Sequence, residues 1–127
     1  METKKVQSFT DLIAWQEAHK MVLLVYTITR EFPKEELFGL TSQLRRAVVS
    51  ITSNIAEGFS RLSFKEKIQF YTISLGSLTE VENQLIVAKD IGYITKTIFQ
   101  ELHAHIMNTS KLLNGLIKKT KTFIYNS

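Results

Sequence analysis

Apolar residues recur at three- and four-residue steps in four separate stretches of this chain, and the intervals between those stretches are short. In the first, Trp15, His19, Val22, Tyr26 and Thr29 fall on one helical stripe flanked by Ala18 and Val25. This predicts a helix near residues 11–31 that stops ahead of Pro33, because proline lacks the backbone donor and pushes the residue before it out of the helical region. A second helix is expected near 38–59, with Leu40, Leu44, Ala47, Val48, Ile51 and Ile55 as its stripe and Gly58 marking its end. Ser63 followed by Glu66 has the spacing of a capping box and opens a third helix near 64–91. Its expected stripe is Phe64, Ile68, Tyr71, Leu75, Leu78, Glu82 and Leu85, with Gly92 just beyond the last turn. A fourth helix, capped by Thr95, spans about 95–120 and carries Ile98, Leu102, His105 or Ile106, Thr109, Leu112 or Leu113, and Leu116 before fraying into the lysine-rich tail. Four amphipathic helices on short connections predict an all-α fold, an antiparallel up-down-up-down four-helix bundle, as a single domain over 1–127.

Helix 2 has a second face. On a helical wheel Ser42, Val49, Ser53 and Ala56 lie opposite the apolar stripe, with Arg45 and Arg46 straddling them. Small side chains let another backbone approach closely, so these four residues are the expected interface with a second copy of the chain, a half-exposed helix back with small residues being the alternative. Glu82 interrupts the stripe of helix 3, where an unpaired carboxylate would be costly to bury, and Arg45 or Arg46 is its expected ion-pair partner, Arg45 being the choice. The mid-helix Gly76 is expected to mark close packing, since glycine there costs about 1 kcal/mol relative to alanine.

Composition narrows the picture. No cysteine is present, which removes disulfides, thiolate metal sites and Cys nucleophiles. Lys and Arg total 16 against 12 Asp and Glu, a formal charge of +4, which suits an anionic partner without requiring one. The opening METKKVQS lacks the apolar core of a signal peptide, and no uncharged apolar run is long enough to cross a bilayer. A cytoplasmic protein without a membrane partner is expected.

No catalytic pattern emerges. Glu101, His103 and His105 in ELHAH do not have the Glu-x-x-His spacing of metal-binding bundles, His19 stands alone, and no cofactor or metal is expected. Ser60 and Arg61 at the mouth of helix 3 have the chemistry of an anion site, although a plain helix junction accounts for them as well. Candidate phosphate contacts are Arg45, Arg46, Arg61, Lys65, Lys118 and Lys119, with Lys67, Lys111 and Lys121 nearby in sequence. They are dispersed among acids, so a single copy offers a modest footprint that a ring of copies would multiply.

The run GLTSQLRRAVVSITSNIAEGFSR, then GSLTEVENQL and DIGYI, together with the early FTDLIAWQEA, closely resembles the four-helix-bundle proteins encoded within intervening sequences of bacterial 23S rRNA genes, historically called S23 ribosomal proteins. The matching positions include Leu40 to Arg46, Ser53 to Gly58, Arg61, Gly76, Ser77, Glu80 and Glu82. The resemblance implies a homopentamer, and through a related group of accessory proteins of diversity-generating retroelements it implies RNA or DNA and a reverse transcriptase as partners. The expected function is a non-catalytic homo-oligomeric scaffold that binds RNA or DNA through repeated basic surfaces. The alternative is a structural or protein-interaction module without a nucleic-acid role, and the two differ in whether Arg45, Arg46 and Arg61 are neutralised by Glu57, Glu80 or Glu82.

Overall fold

A computed structural model describes residues 5–125, the last without its side chain. Four helices follow in order: α1 (Ile13–Thr29), α2 (Leu40–Ser60), α3 (Phe64–Asp90) and α4 (Lys96–Tyr125). They pack as a four-helix bundle in which α2 meets α1 and α3, and α4 meets α3 and α1. Cross-helix pairs fix the sense of the last three. Ser50 meets Ser77 while Gly58 meets Tyr71, and Glu82 meets His103 while Phe64 meets Phe123, so α2, α3 and α4 alternate in direction. No helix is long and apolar enough to cross a membrane among the described residues.

The helix ends follow from local chemistry. Asp11 accepts from the backbone of Gln7 and Ser8 at 3.0 and 3.1 Å, closing a 3₁₀ turn over Phe9–Asp11. Leu12 is extended, so α1 begins at Ile13 rather than at residue 11. Ser63 Oγ accepts from Glu66 N at 3.1 Å, and Thr95 Oγ1 accepts from Ile98 N at 3.1 Å. After α3, Gly92 adopts φ +87, and the amides of Gly92 and Tyr93 donate back to Lys89 O and Ala88 O. That is the Schellman pattern, which satisfies carbonyls the helix leaves unpaired. Tyr93 then donates from its hydroxyl to Glu36 at 2.8 Å and packs its ring against Phe32, tying the α3–α4 turn to the α1–α2 connection.

The core departs from expectation at particular positions. In α1 the inward residues are Ala14, Ala18, Met21, Val25 and Thr29, while Trp15, His19 and Val22 sit on the shoulder and Tyr26 is exposed. The two alanines face the bundle, and Trp15 instead stacks on His19 at 4.7 Å and meets Phe9 edge-on. In α3, Ser74, Val81 and Ala88 join Tyr71, Leu78 and Leu85 inside, whereas Phe64 is exposed and Glu82 half-buried. Ser74 is fully buried because its hydroxyl donates to the Ile51 carbonyl at 2.7 Å, bringing α3 close against the backbone of α2. α4 stays helical through Tyr125 instead of fraying near residue 120, with Ile117 and Thr120 still buried.

Two glycines exchange their expected roles. α2 runs through Gly58 to Ser60; a Cβ at Gly58 would lie 2.7 Å from Tyr71 Cε1 and 3.1 Å from the Lys67 carbonyl, so this glycine admits α3. Gly76 faces open space, where a Cβ would meet nothing within 4 Å. Gly58→Ala should therefore destabilise the fold by about 1–3 kcal/mol through overpacking against a buried ring. Gly76→Ala should stabilise it by up to about 1 kcal/mol through helix propensity. Urea unfolding of both variants checks this, and equal effects would contradict the packing described for Gly58.

Candidate functional site

The second face of α2 opens on a cleft of about 780 Å³ beside α1, and Ser42, Val49 and Ser53 line it together with Tyr26, Leu37 and Phe38. Phe38 is 93% exposed and Leu37 50%, an unusual outlay of apolar surface on one connection. Ala56, one turn past Ser53, is half-buried and outside the cleft. Arg45 lies along the cleft: its Nε donates to Thr29 Oγ1 at 2.9 Å and its guanidinium sits 4.8 Å from the centre of the Tyr26 ring. Arg46 is exposed at the cleft's edge and has no ion-pair partner among the described residues.

The remaining candidate cations gather elsewhere. The end of α2, the start of α3 and the last turns of α4 come together, as the Phe64 and Phe123 rings stacked 5.3 Å apart demonstrate. Residues 57–67 and 117–125 contribute six cations, Arg61, Lys65, Lys67, Lys118, Lys119 and Lys121, against two carboxylates, Glu57 and Glu66. The surplus equals the formal charge of the whole chain, +4. Not all six are free. Arg61 is held by Glu57 at 2.6 Å and lies over the Phe70 ring, and Lys67 donates to the Phe59 carbonyl at 2.6 Å, where burial pushes its pKa down. Ser60 donates to Glu57 O, so Ser60 and Arg61 form a helix junction rather than a shared anion cradle. Lys65, Lys118 and Lys119 are exposed. Arg45 and Arg61 are sixteen residues apart on one helix, about 24 Å, so the six sequence candidates divide into two clusters at opposite ends of α2.

Glu82 does not pair with Arg45. Its carboxylate meets His103 Nε2 at 3.0 Å, across the α3–α4 contact, while Arg45 faces α1. The buried carboxylate that the periodicity concealed is Glu17, 9% exposed, which meets His105 Nδ1 at 2.7 Å and Lys20 at 3.6 Å. Burial raises the Glu17 pKa, but hydrogen bonds from His105 and Asn108 and the charges of His105 and Lys20 outweigh it and hold the carboxyl below its ordinary 4.5. The signal was present in Glu17 sharing a helix face with Ala14 and Met21, four residues before the latter. His103 and His105 thus reach to opposite neighbours, α3 and α1, and no group of three or more metal-ligating side chains forms among the described residues.

A bundle with these helix lengths and this order of motifs is that of a known family. The 23S rRNA-intervening sequence protein family matches residues 10–115, and the chain belongs to it. A crystal structure of a protein with unknown function from the S23 ribosomal protein family, from Bacteroides thetaiotaomicron, superposes with a TM-score of 0.75 at 22% identity, covering 84% of this chain and 99% of that one. No curated protein matches the sequence.

The Glu17 pair has a pH consequence. A carboxyl held below its unfolded value contributes stability that is complete above 4.5 and is lost as pH falls through the lower folded value. Glu17→Gln should cost about 1–3 kcal/mol near pH 7, because the partners of a buried group are left incompletely satisfied. The gap between wild type and variant should narrow by about pH 3. Urea midpoints at the two pH values measure it, and a gap that widens in acid would contradict the direction of the shift.

Proposed function

We propose that the chain is a non-catalytic homo-oligomeric scaffold that binds RNA or DNA through basic surfaces repeated around a ring. The observation that carries the reading is the local surplus of four positive charges that residues 57–67 and 117–125 bring to one end of the bundle. Exposed lysines without carboxylate partners gain counterion-release free energy at each phosphate they meet, and this term dominates nucleic-acid affinity. One subunit offers only a few such contacts, chiefly Lys65, Lys118 and Lys119. Several subunits on one strand convert later contacts into intramolecular events, so modest sites add up to useful avidity.

Assembly is assigned to the cleft between α1 and α2. Phe38 and Leu37 present apolar area that a single copy leaves in water, and Ser42, Val49 and Ser53 keep the adjacent helix face low enough for close approach. A pentamer accords with the family resemblance. The second reading, a protein-interaction module without nucleic acid, draws its support from Arg61 and Arg45, both occupied by intramolecular partners.

Size-exclusion chromatography with light scattering, followed by gel shifts of a structured RNA at low and physiological salt, tests both parts. Wild type should elute as an oligomer and shift the RNA more weakly as salt rises. Phe38→Asp should dissociate the oligomer without unfolding it, since the ring is almost fully exposed. Lys118→Glu with Lys119→Glu should lower the slope of log affinity against log salt by about 2. A monomeric wild type would sink the assembly role of the cleft, and an oligomer indifferent to RNA would favour the protein-facing alternative.

A further inference from the structure

Beside the exposed lysines at the basic end, which have no ion-pair partner among the described residues, stands an aromatic pair that the fold does not consume. Phe64 opens α3 and Phe123 lies near the end of α4; their rings are 5.3 Å apart and inclined by only 18°, with 39% and 48% of the residues exposed. Neither belongs to the hydrophobic core or to the side chains packed against it. Leu62, two residues before Phe64, is 97% exposed. Lys119 precedes Phe123 by four residues and so shares its helix face, while Lys65 adjoins Phe64. Of the two carboxylates in residues 57–67 and 117–125, Glu57 is engaged by Arg61.

We infer that this end of the bundle takes single-stranded nucleic acid in preference to duplex, with unpaired bases stacking on the Phe64–Phe123 pair while Lys65, Lys118 and Lys119 engage the flanking phosphates. The inference rests on the proposed nucleic-acid role and specifies its ligand. A duplex already stacks its bases internally and presents this surface with little beyond phosphate and groove edges. A single strand presents phosphates and free base faces together, the combination of charge and aromatic surface found here. Stacking of this kind tolerates any base, since each has a π face, so composition should matter less than strandedness. The positive surplus around the rings also selects a polyanion over an uncharged apolar partner.

The test is fluorescence anisotropy of the full chain with labelled oligothymidylate, oligouridylate and a mixed-sequence duplex of equal length. Single strands should bind about tenfold more tightly than the duplex at matched salt. Joint replacement Phe64→Leu and Phe123→Leu should weaken single-strand binding by about five- to tenfold and leave duplex binding within about twofold, whereas Lys118→Glu with Lys119→Glu should weaken both. Because two substitutions at a helix junction can disturb the fold, Phe123→Trp supplies a second measurement. It keeps a stacking surface, should retain single-strand affinity, and its indole emission above the Trp15 background should be quenched by oligothymidylate. Unquenched emission, or leucine variants that bind single strands like wild type, would overturn the stacking site. Lysine-dependent binding that favours duplex would overturn the inference while leaving the scaffold reading intact; binding to neither probe would overturn both.

Discussion

The close approach of α2 and α3 is the constraint on which the rest of this bundle depends. Three contacts along it bring the two helices together: Ser74 against the Ile51 carbonyl, Ser50 against Ser77, and Gly58, with no room for a Cβ, beneath the Tyr71 ring. Two of them place a polar group in or near the interior, which is tolerable only because each finds a hydrogen-bond partner. Small residues in α2 therefore serve its own neighbour as much as any second copy. With one side spent on the core and another on α3, the helix retains a third for the cleft that contains Ser42, Val49 and Ser53. A single segment rich in Ser, Thr and Ala thereby positions three different surfaces.

α4 is held on both flanks by carboxylate–histidine pairs, His103 to Glu82 on α3 and His105 to Glu17 on α1. Alternate residues of a helix point in different directions, so the two histidines, useless as a joint metal site, serve as separate ties. The ties lie away from the basic end, where α4 instead stacks Phe123 on Phe64. Apolar exposure at the cleft and charge at the bundle's end thus occupy separate regions, and neither requires the other to be dismantled.

Much of this was legible in the chain itself. The α2 stripe, the caps at Ser63 and Thr95 and the left-handed Gly92 depend on neighbours in sequence, and they stand where local chemistry places them. What was obscured depends on partners far away. Large aromatic residues drew the expected α1 stripe toward Trp15 and Tyr26, whereas the alanines and Met21 fill the space that the bundle leaves. Likewise Glu82 chose a histidine over an arginine because α4, not α2, supplies its nearest base. The two glycines reversed meaning because close approach is a property of the facing helix, Tyr71 in one case and nothing in the other. For the candidate cations, residue type was apparent but not grouping, since only the fold brings Arg61, Lys65 and the α4 lysines to one end.

The separation of cleft from charge would give a directional character to a cyclic ring whose bundles stand along the symmetry axis. Rotational symmetry about one axis turns every copy the same way up, so contacts made along the bundle's side leave all the lysine-bearing ends on a common side of the disc. Such a disc would be two-faced, with the denser cluster of lysines on one side and the α3–α4 turn on the other. It would settle on a nucleic acid in one orientation and hold its opposite face toward whatever arrives next.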